Sequence, residues 1–154
     1  MRSRLDGRSL TNLDIYAQRV DSLGHLQWLS TGVPVCTAAG DQVDAVITVD
    51  GAGGAIVSWG DPRPGASGGS DVYVQRVNDA GVVQWAANGI PVTQVSGSQI
   101  APAIATDESG GAILAWWDLR GGVNYDLYMQ RLNASGTAQW ATDGVPLVIQ
   151  PLDQ

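Results

Sequence analysis

The chain has 154 residues, enough for one domain with a substantial apolar core. The net charge is −7 and all eight cations are arginines, so the chain lacks the basic surface that a nucleic-acid backbone requires, and nucleic acid is not an expected partner. No apolar run approaches the roughly 18 residues of a membrane span, so membrane insertion is not expected either.

The first residues, MRSRLDGRSLTNLD, do not predict a secretory signal. Two arginines stand near the start, but the apolar core of a signal peptide does not follow them. These residues therefore leave the cellular location open.

The next segment is the first of three near-copies. Residues 14–28 read DIYAQRVDSLGHLQW, residues 71–85 read DVYVQRVNDAGVVQW, and residues 126–140 read DLYMQRLNASGTAQW. The aspartates that open them recur at intervals of 57 and 55 residues. The other shared positions include Tyr16, Tyr73 and Tyr128; Gln18, Gln75 and Gln130; Arg19, Arg76 and Arg131; Gly24, Gly81 and Gly136; Trp28, Trp85 and Trp140. A fixed period of this kind indicates a repeat architecture.

Each full copy contains four strand-like segments, which we label A to D. In the last copy A is QIAPAIATD from Gln99, B is GAILAWWD from Gly111, C is YDLYMQRLN from Tyr125 and D is TAQWATDGVPLVI from Thr137. Because no segment has a sustained period of 3.6 residues, strands are expected throughout and the predicted class is all-β. The four-residue turn between C and D ends in Gly, which predicts a type I turn closed by a left-handed residue.

Segment C carries bulky side chains on both of its faces. In the second copy Val72 and Val74 alternate with Tyr73 and Gln75. Both faces are therefore expected to pack against other sheets. The tryptophans of segments B and D, Trp59 among them, are expected to fill the gaps between sheets.

Four antiparallel strands in every copy predict the blades of a β-propeller. Residues 40–95 and 97–149 would each form a full blade and residues 5–36 a partial blade, within one repeat domain covering residues 1–154. A closed propeller needs roughly four to eight blades, and about two and a half are present. We therefore expect the chain to associate with itself, as a homodimer that closes one ring. The alternative is that the chain is a piece of a longer propeller.

The motif D-[IVL]-Y-x-Q-R-[VL]-[DN]-x-x-G-x-x-x-W, followed by G-[VI]-P-[VL], resembles repeats in large bacterial proteins that are secreted or lie on the cell surface. The resemblance covers residues 5–149. It implies a β-propeller, an extracytoplasmic location and a binding or scaffolding role.

The loops between segments B and C hold the candidate ligand-binding residues, because each carries an aspartate and an arginine two positions later. These residues are Asp6 and Arg8, Asp61 and Arg63, and Asp118 and Arg120. Trp117 is a further candidate, since the matching position of the second copy is Gly60. An indole and charged groups on one rim could bind a sugar, by stacking on the ring and bonding its hydroxyls. The alternative is that each Asp–Arg pair braces its own loop.

The sequence predicts no catalytic residue, no metal site and no cofactor. Cys36 stands in an apolar run, which favours a buried thiol. His25 has no histidine or cysteine partner at zinc spacing.

The leading hypothesis is a non-catalytic propeller module for binding or scaffolding, with a glycan or a protein as ligand. The alternatives are a carbohydrate-binding lectin assembled from short propeller chains, and a fragment of a propeller enzyme.

Overall fold

The computed structural model describes residues 12–63 and 68–148. Ten strands lie in this part of the chain: β1 (Ile15–Ala17), β2 (Val33–Cys36), β3 (Val43–Val49), β4 (Ala55–Asp61), β5 (Asp71–Val77), β6 (Ile90–Pro91), β7 (Gln99–Thr106), β8 (Ala112–Asp118), β9 (Asp126–Leu132) and β10 (Val145–Val148). The predicted all-β class is confirmed. No described residue belongs to a helix that could span a membrane.

The strands form three antiparallel sheets, each built from neighbours in the sequence. The first sheet pairs β1 with β2, the second has the order β3-β4-β5-β6, and the third has the order β7-β8-β9-β10. The matching strands of the second and third sheets are the predicted segments A to D in chain order. The first strand of each four-stranded sheet is interrupted by a bulge, where Asp44 and Ala101 adopt φ values of 54° and 49°.

The predicted length of segment D is wrong. Only Ile90–Pro91 and Val145–Val148 are strands, whereas the prediction extended back to Val82 and Thr137. Asn88 and Asp143 adopt positive φ values of 64° and 59° just before these strands, which ends regular pairing. The tryptophan of each segment therefore lies in a turn, not in a ladder.

A buried glutamine replaces the missing ladder. In the second sheet Gln75 Oε1 accepts hydrogen bonds from the backbone N–H groups of Arg76 and Trp85, both at 2.9 Å. Its Nε2 donates to Ala86 O at 2.8 Å. Gln130 makes the same three bonds in the third sheet. This side chain thus satisfies backbone groups that the strand leaves unpaired.

The sheets pack face to face around two apolar cores. The first core lies between the first and second sheets and includes Ile15, Val35, Val57 and Trp59. The second lies between the second and third sheets and includes Val72, Val74, Leu114 and Trp116. Trp59 and Trp116 are fully buried, which confirms that the tryptophans of segment B lie between sheets. The second sheet is consequently covered on both faces, as the alternation in segment C predicts.

Replacement of Gln75 by alanine is expected to lower the free energy of unfolding by about 2–4 kcal/mol, because three partly buried backbone groups lose their partner and a fully buried side chain is removed. Chemical denaturation measures this loss. Gln84→Ala is the matched control, because this side chain is exposed and donates to Val82 O at 2.8 Å, and its loss should cost less than about 0.5 kcal/mol. Equal stabilities of the two variants would contradict the bracing role of Gln75.

Candidate functional site

The aspartate at the end of β8 is the centre of a closed hydrogen-bond network. Asp118 is fully buried and accepts bonds from Trp116 Nε1 at 2.8 Å and from Arg120 Nη2 at 2.7 Å. Arg120 Nε also donates to Asp118 Oδ1 at 2.9 Å. The arginine then reaches Asp143 O at 2.7 Å and lies 3.7 Å from the centroid of the Tyr128 ring. The Asp118 carboxylate, the Trp116 indole and the Nε and Nη2 groups of Arg120 thus bond to one another or to the backbone.

The second sheet repeats the network with its own residues. Asp61 accepts a bond from Trp59 Nε1 at 2.8 Å and is paired with Arg63. Arg63 Nη2 donates to Asn88 O at 2.9 Å, and its guanidinium lies 3.8 Å from the centroid of the Tyr73 ring. The arginine in each network thus ties the loop after segment B to the turn of segment D.

Both aspartates are held in the ionised form. Burial opposes ionisation, but the bonds from the neighbouring arginine and tryptophan outweigh it and lower the pKa of Asp61 and of Asp118. The bonded aspartates in turn raise the pKa of Arg63 and Arg120 against the effect of burial. These four residues have the geometry of loop braces. Asp6 and Arg8, the matching pair of the first copy, lie outside the described residues.

Trp117 lies within β8 and is separated from these networks by the alternation of the strand. Ala112, Leu114 and Trp116 point into the second core, so Trp117 points the opposite way and is 46% exposed. The structure does not bring Trp117 together with Arg63 or Arg120 at one site.

Trp117 belongs to an apolar surface that we call the outer face of the third sheet. Ile113 and Ala115 point the same way along β8, and register places Leu127 beside Trp117 and Met129 beside Ala115. Trp117 is exposed, and the other four side chains are partly exposed. The matching Val72 and Val74 of the second sheet are fully buried by the third sheet. The outer face is thus a packing surface of the same kind that no other sheet covers within residues 12–63 and 68–148.

Sequence reasoning missed an unusual carboxyl group at Asp71. This residue opens β5, lies opposite Asp61 in the register and is fully buried, yet neither carboxylate oxygen accepts a hydrogen bond from the described residues. Burial and then the charge of Asp61 raise its pKa to about 6. Arg76, on the same strand, pairs with Asp50 at 3.0 Å.

Cys36 and His25 are the other residues considered in the sequence. Cys36 is buried as predicted, and burial raises the pKa of its thiol to about 11, which favours the unreactive form. His25 is exposed and contacts Asp21 at 3.0 Å. Within residues 12–63 and 68–148, no group of three or more His, Cys, Asp or Glu side chains could hold a metal ion.

A crevice of about 200 Å³ opens between the first and second sheets. Its lining includes Arg19, Trp28, Ile47 and Gly53. Small-molecule sites usually measure 300–1,000 Å³, so this crevice suits at most a very small ligand.

Comparisons of the chain with protein-family models, with curated proteins and with solved structures give no match. The functional argument therefore depends on the geometry described above.

Substitution of Arg120 by glutamine is expected to lower the free energy of unfolding by about 3 kcal/mol, because Asp118 would remain buried with its charge uncompensated. Urea denaturation measures the change. Glu108→Gln is the control, since Glu108 is exposed and the loss of its charge should cost less than about 1 kcal/mol. An Arg120→Gln protein as stable as the wild type would argue against a brace and for a residue kept for ligand binding.

Replacement of Asp71 by asparagine is expected to stabilise the protein above neutral pH. The pKa of Asp71 is raised from 3.8 to about 6 in the folded state, so wild-type stability falls as pH rises between these values and the cost persists above them. Asp71→Asn should therefore exceed the wild type by roughly 2–3 kcal/mol at pH 8 and match it near pH 4. Denaturation curves across pH test this. A stability difference between Asp71→Asn and the wild type that stays the same from pH 4 to pH 8 would contradict this prediction.

Proposed function

We propose that the chain is a non-catalytic β-propeller module for binding or scaffolding, and that a second copy completes its ring as a homodimer. The observation that carries the proposal is the outer face of the third sheet. It presents side chains of the type that the two internal interfaces bury, and no described residue covers it.

The repeated stacking of sheets supports the propeller. Each full sheet is a four-stranded antiparallel meander, and each packs on the next through the same positions of segments B and C. Radial repetition of such sheets is the plan of a propeller. About two and a half sheets in one chain give about five in a pair, within the range of roughly four to eight that can close.

The Asp–Arg networks support a non-catalytic role. Asp61 and Asp118 are each engaged by an arginine and a tryptophan, which lower their pKa. A general acid needs a raised pKa and access to substrate, and these carboxylates have neither. Their arrangement suits a rigid scaffold.

A lectin is the second candidate, and the exposure of two aromatic residues favours it. Trp117 and Tyr125 are 46% and 38% exposed, and both lie at the same end of the β8–β9 hairpin. An exposed aromatic ring can stack on a sugar. The position of Trp117 among Ile113 and Ala115 favours a protein interface over a glycan site.

Sedimentation velocity of the purified chain tests the leading proposal. We expect a concentration-dependent dimer, because exposed apolar sheet surface and unpaired edges promote association. A well-folded monomer at all concentrations up to the solubility limit would refute closure by a second copy.

A glycan array separates the two candidates. The scaffold predicts no glycan signal, whereas the lectin predicts a signal that Trp117→Ala removes and Val82→Ala, a change at another exposed apolar position, leaves intact. Hydrolysis of chromogenic glycosides by the purified protein would contradict the non-catalytic assignment.

A further inference from the structure

The junction between the first and second sheets contains a specific polar clamp. Trp28 Nε1 and Arg19 Nη1 of the first copy both donate to Asp79 O, at 2.9 and 3.1 Å. Asp79 lies in the turn between segments C and D of the next copy. Two side chains of one sheet thus bind one backbone carbonyl of the following sheet.

The next junction repeats this clamp. Trp85 Nε1 and Arg76 Nη1 donate to Ala134 O, at 3.3 and 3.1 Å. Ala134 occupies the same place in the third copy as Asp79 in the second. The clamp is therefore a regular feature of how one unit joins the next.

A glycine fits the turn beneath the indole. A Cβ built on Gly81 would lie 3.0 Å from the Trp28 ring, and one on Gly136 would lie 3.0 Å from the Trp85 ring. Both glycines have φ values near 80°, so they also provide the left-handed residue of the turn. Any side chain at this place would push the tryptophan off the turn.

The two ends of the chain each carry half of a third clamp. Trp140 is 38% exposed, and Arg131 is 42% exposed where the matching Arg76 is 19% exposed. No described residue accepts a bond from Trp140 Nε1. In the first copy Ser22 occupies the acceptor position, and a Cβ on Gly24 would meet nothing within 4 Å.

We propose that these halves join two copies of the chain head to tail. Trp140 Nε1 and Arg131 Nη1 of one copy donate to Ser22 O of the second copy, and the Trp140 indole lies on Gly24 of that copy. This inference rests on the proposed function and assigns the residues that make its dimer contact.

Apolar surface at the two ends agrees with this pairing. The outer face offers Leu127 and Met129, which match Val72 and Val74 of the second sheet, where the third sheet buries them. On the first sheet Val20 is 56% exposed, whereas the matching Val77 is fully buried. The outer face of the third sheet and the exposed side of the first sheet around Val20 would therefore cover each other in two joined copies.

A symmetric contact between two outer faces would also bury apolar side chains but would leave both clamps without a carbonyl. Trp140 would border that contact, because its counterpart Trp85 packs against the second core, whereas Gly24 lies in the first copy and would take no part. Substitution at Gly24 therefore distinguishes the two arrangements.

The test is sedimentation velocity of two single variants, each placed on one half of the clamp. Trp140→Ala removes the indole, and Gly24→Asn adds a side chain that tolerates the left-handed conformation. Each is expected to weaken dimerisation about tenfold or more. The controls are Val49→Ala, at another exposed apolar position, and Gly51→Asn, at another open glycine with φ of 76°. Circular dichroism verifies the fold of every variant.

Loss of dimer in both variants and in neither control supports the head-to-tail clamp. Loss in Trp140→Ala alone overturns it in favour of a symmetric contact. A dimer that survives both substitutions also overturns it, while the proposed function stands. A wild-type monomer refutes the proposed dimer and the clamp together.

Discussion

Each four-stranded sheet of this chain carries apolar side chains on both faces, and both must leave water for the sheet to be stable. A single sheet leaves both of its apolar faces in water. Two stacked sheets bury the two faces that contact each other and leave the two outer faces exposed. The second sheet meets it fully, because Val57 and Trp59 pack on one side and Val72 and Val74 on the other. The buried glutamines and the aspartate networks brace each sheet, and the polar clamps join one sheet to the next.

Much of this arrangement can be predicted from the amino-acid sequence. The alternation in segment C predicts a sheet covered twice, and the recurring Gly predicts the left-handed turn; both predictions are confirmed at Val72–Val77 and at Gly81. Segment D was harder to predict, because the side chain of Gln75 supplies bonds that a sequence pattern assigns to a strand. Local strand propensity does not reveal that the side chain of Gln75 takes the place of a backbone partner for Trp85.

The candidate site divides in the same way. The Asp-x-Arg spacing correctly marks residues that act together, since Asp118 and Arg120 are bonded, but spacing alone does not show whether such a pair faces a ligand or its own loop. The pair also contacts Tyr128 and Trp116, and these contacts form only when the strands are folded together, so the spacing could not predict them. Asp71 was missed because its lack of a bonding partner depends on the burial of its neighbours, which no short motif records.

The consecutive order of the strands has a consequence for how the molecule forms. Strands β3 to β5 and β7 to β9 pair with their neighbours in sequence, so each of these ladders can close without bringing distant parts of the chain together first. Stacking then adds cooperativity, because each unit packs on its neighbours. Amide hydrogens in the central strands of the middle sheet should accordingly exchange most slowly, with protection declining towards either end of the stack.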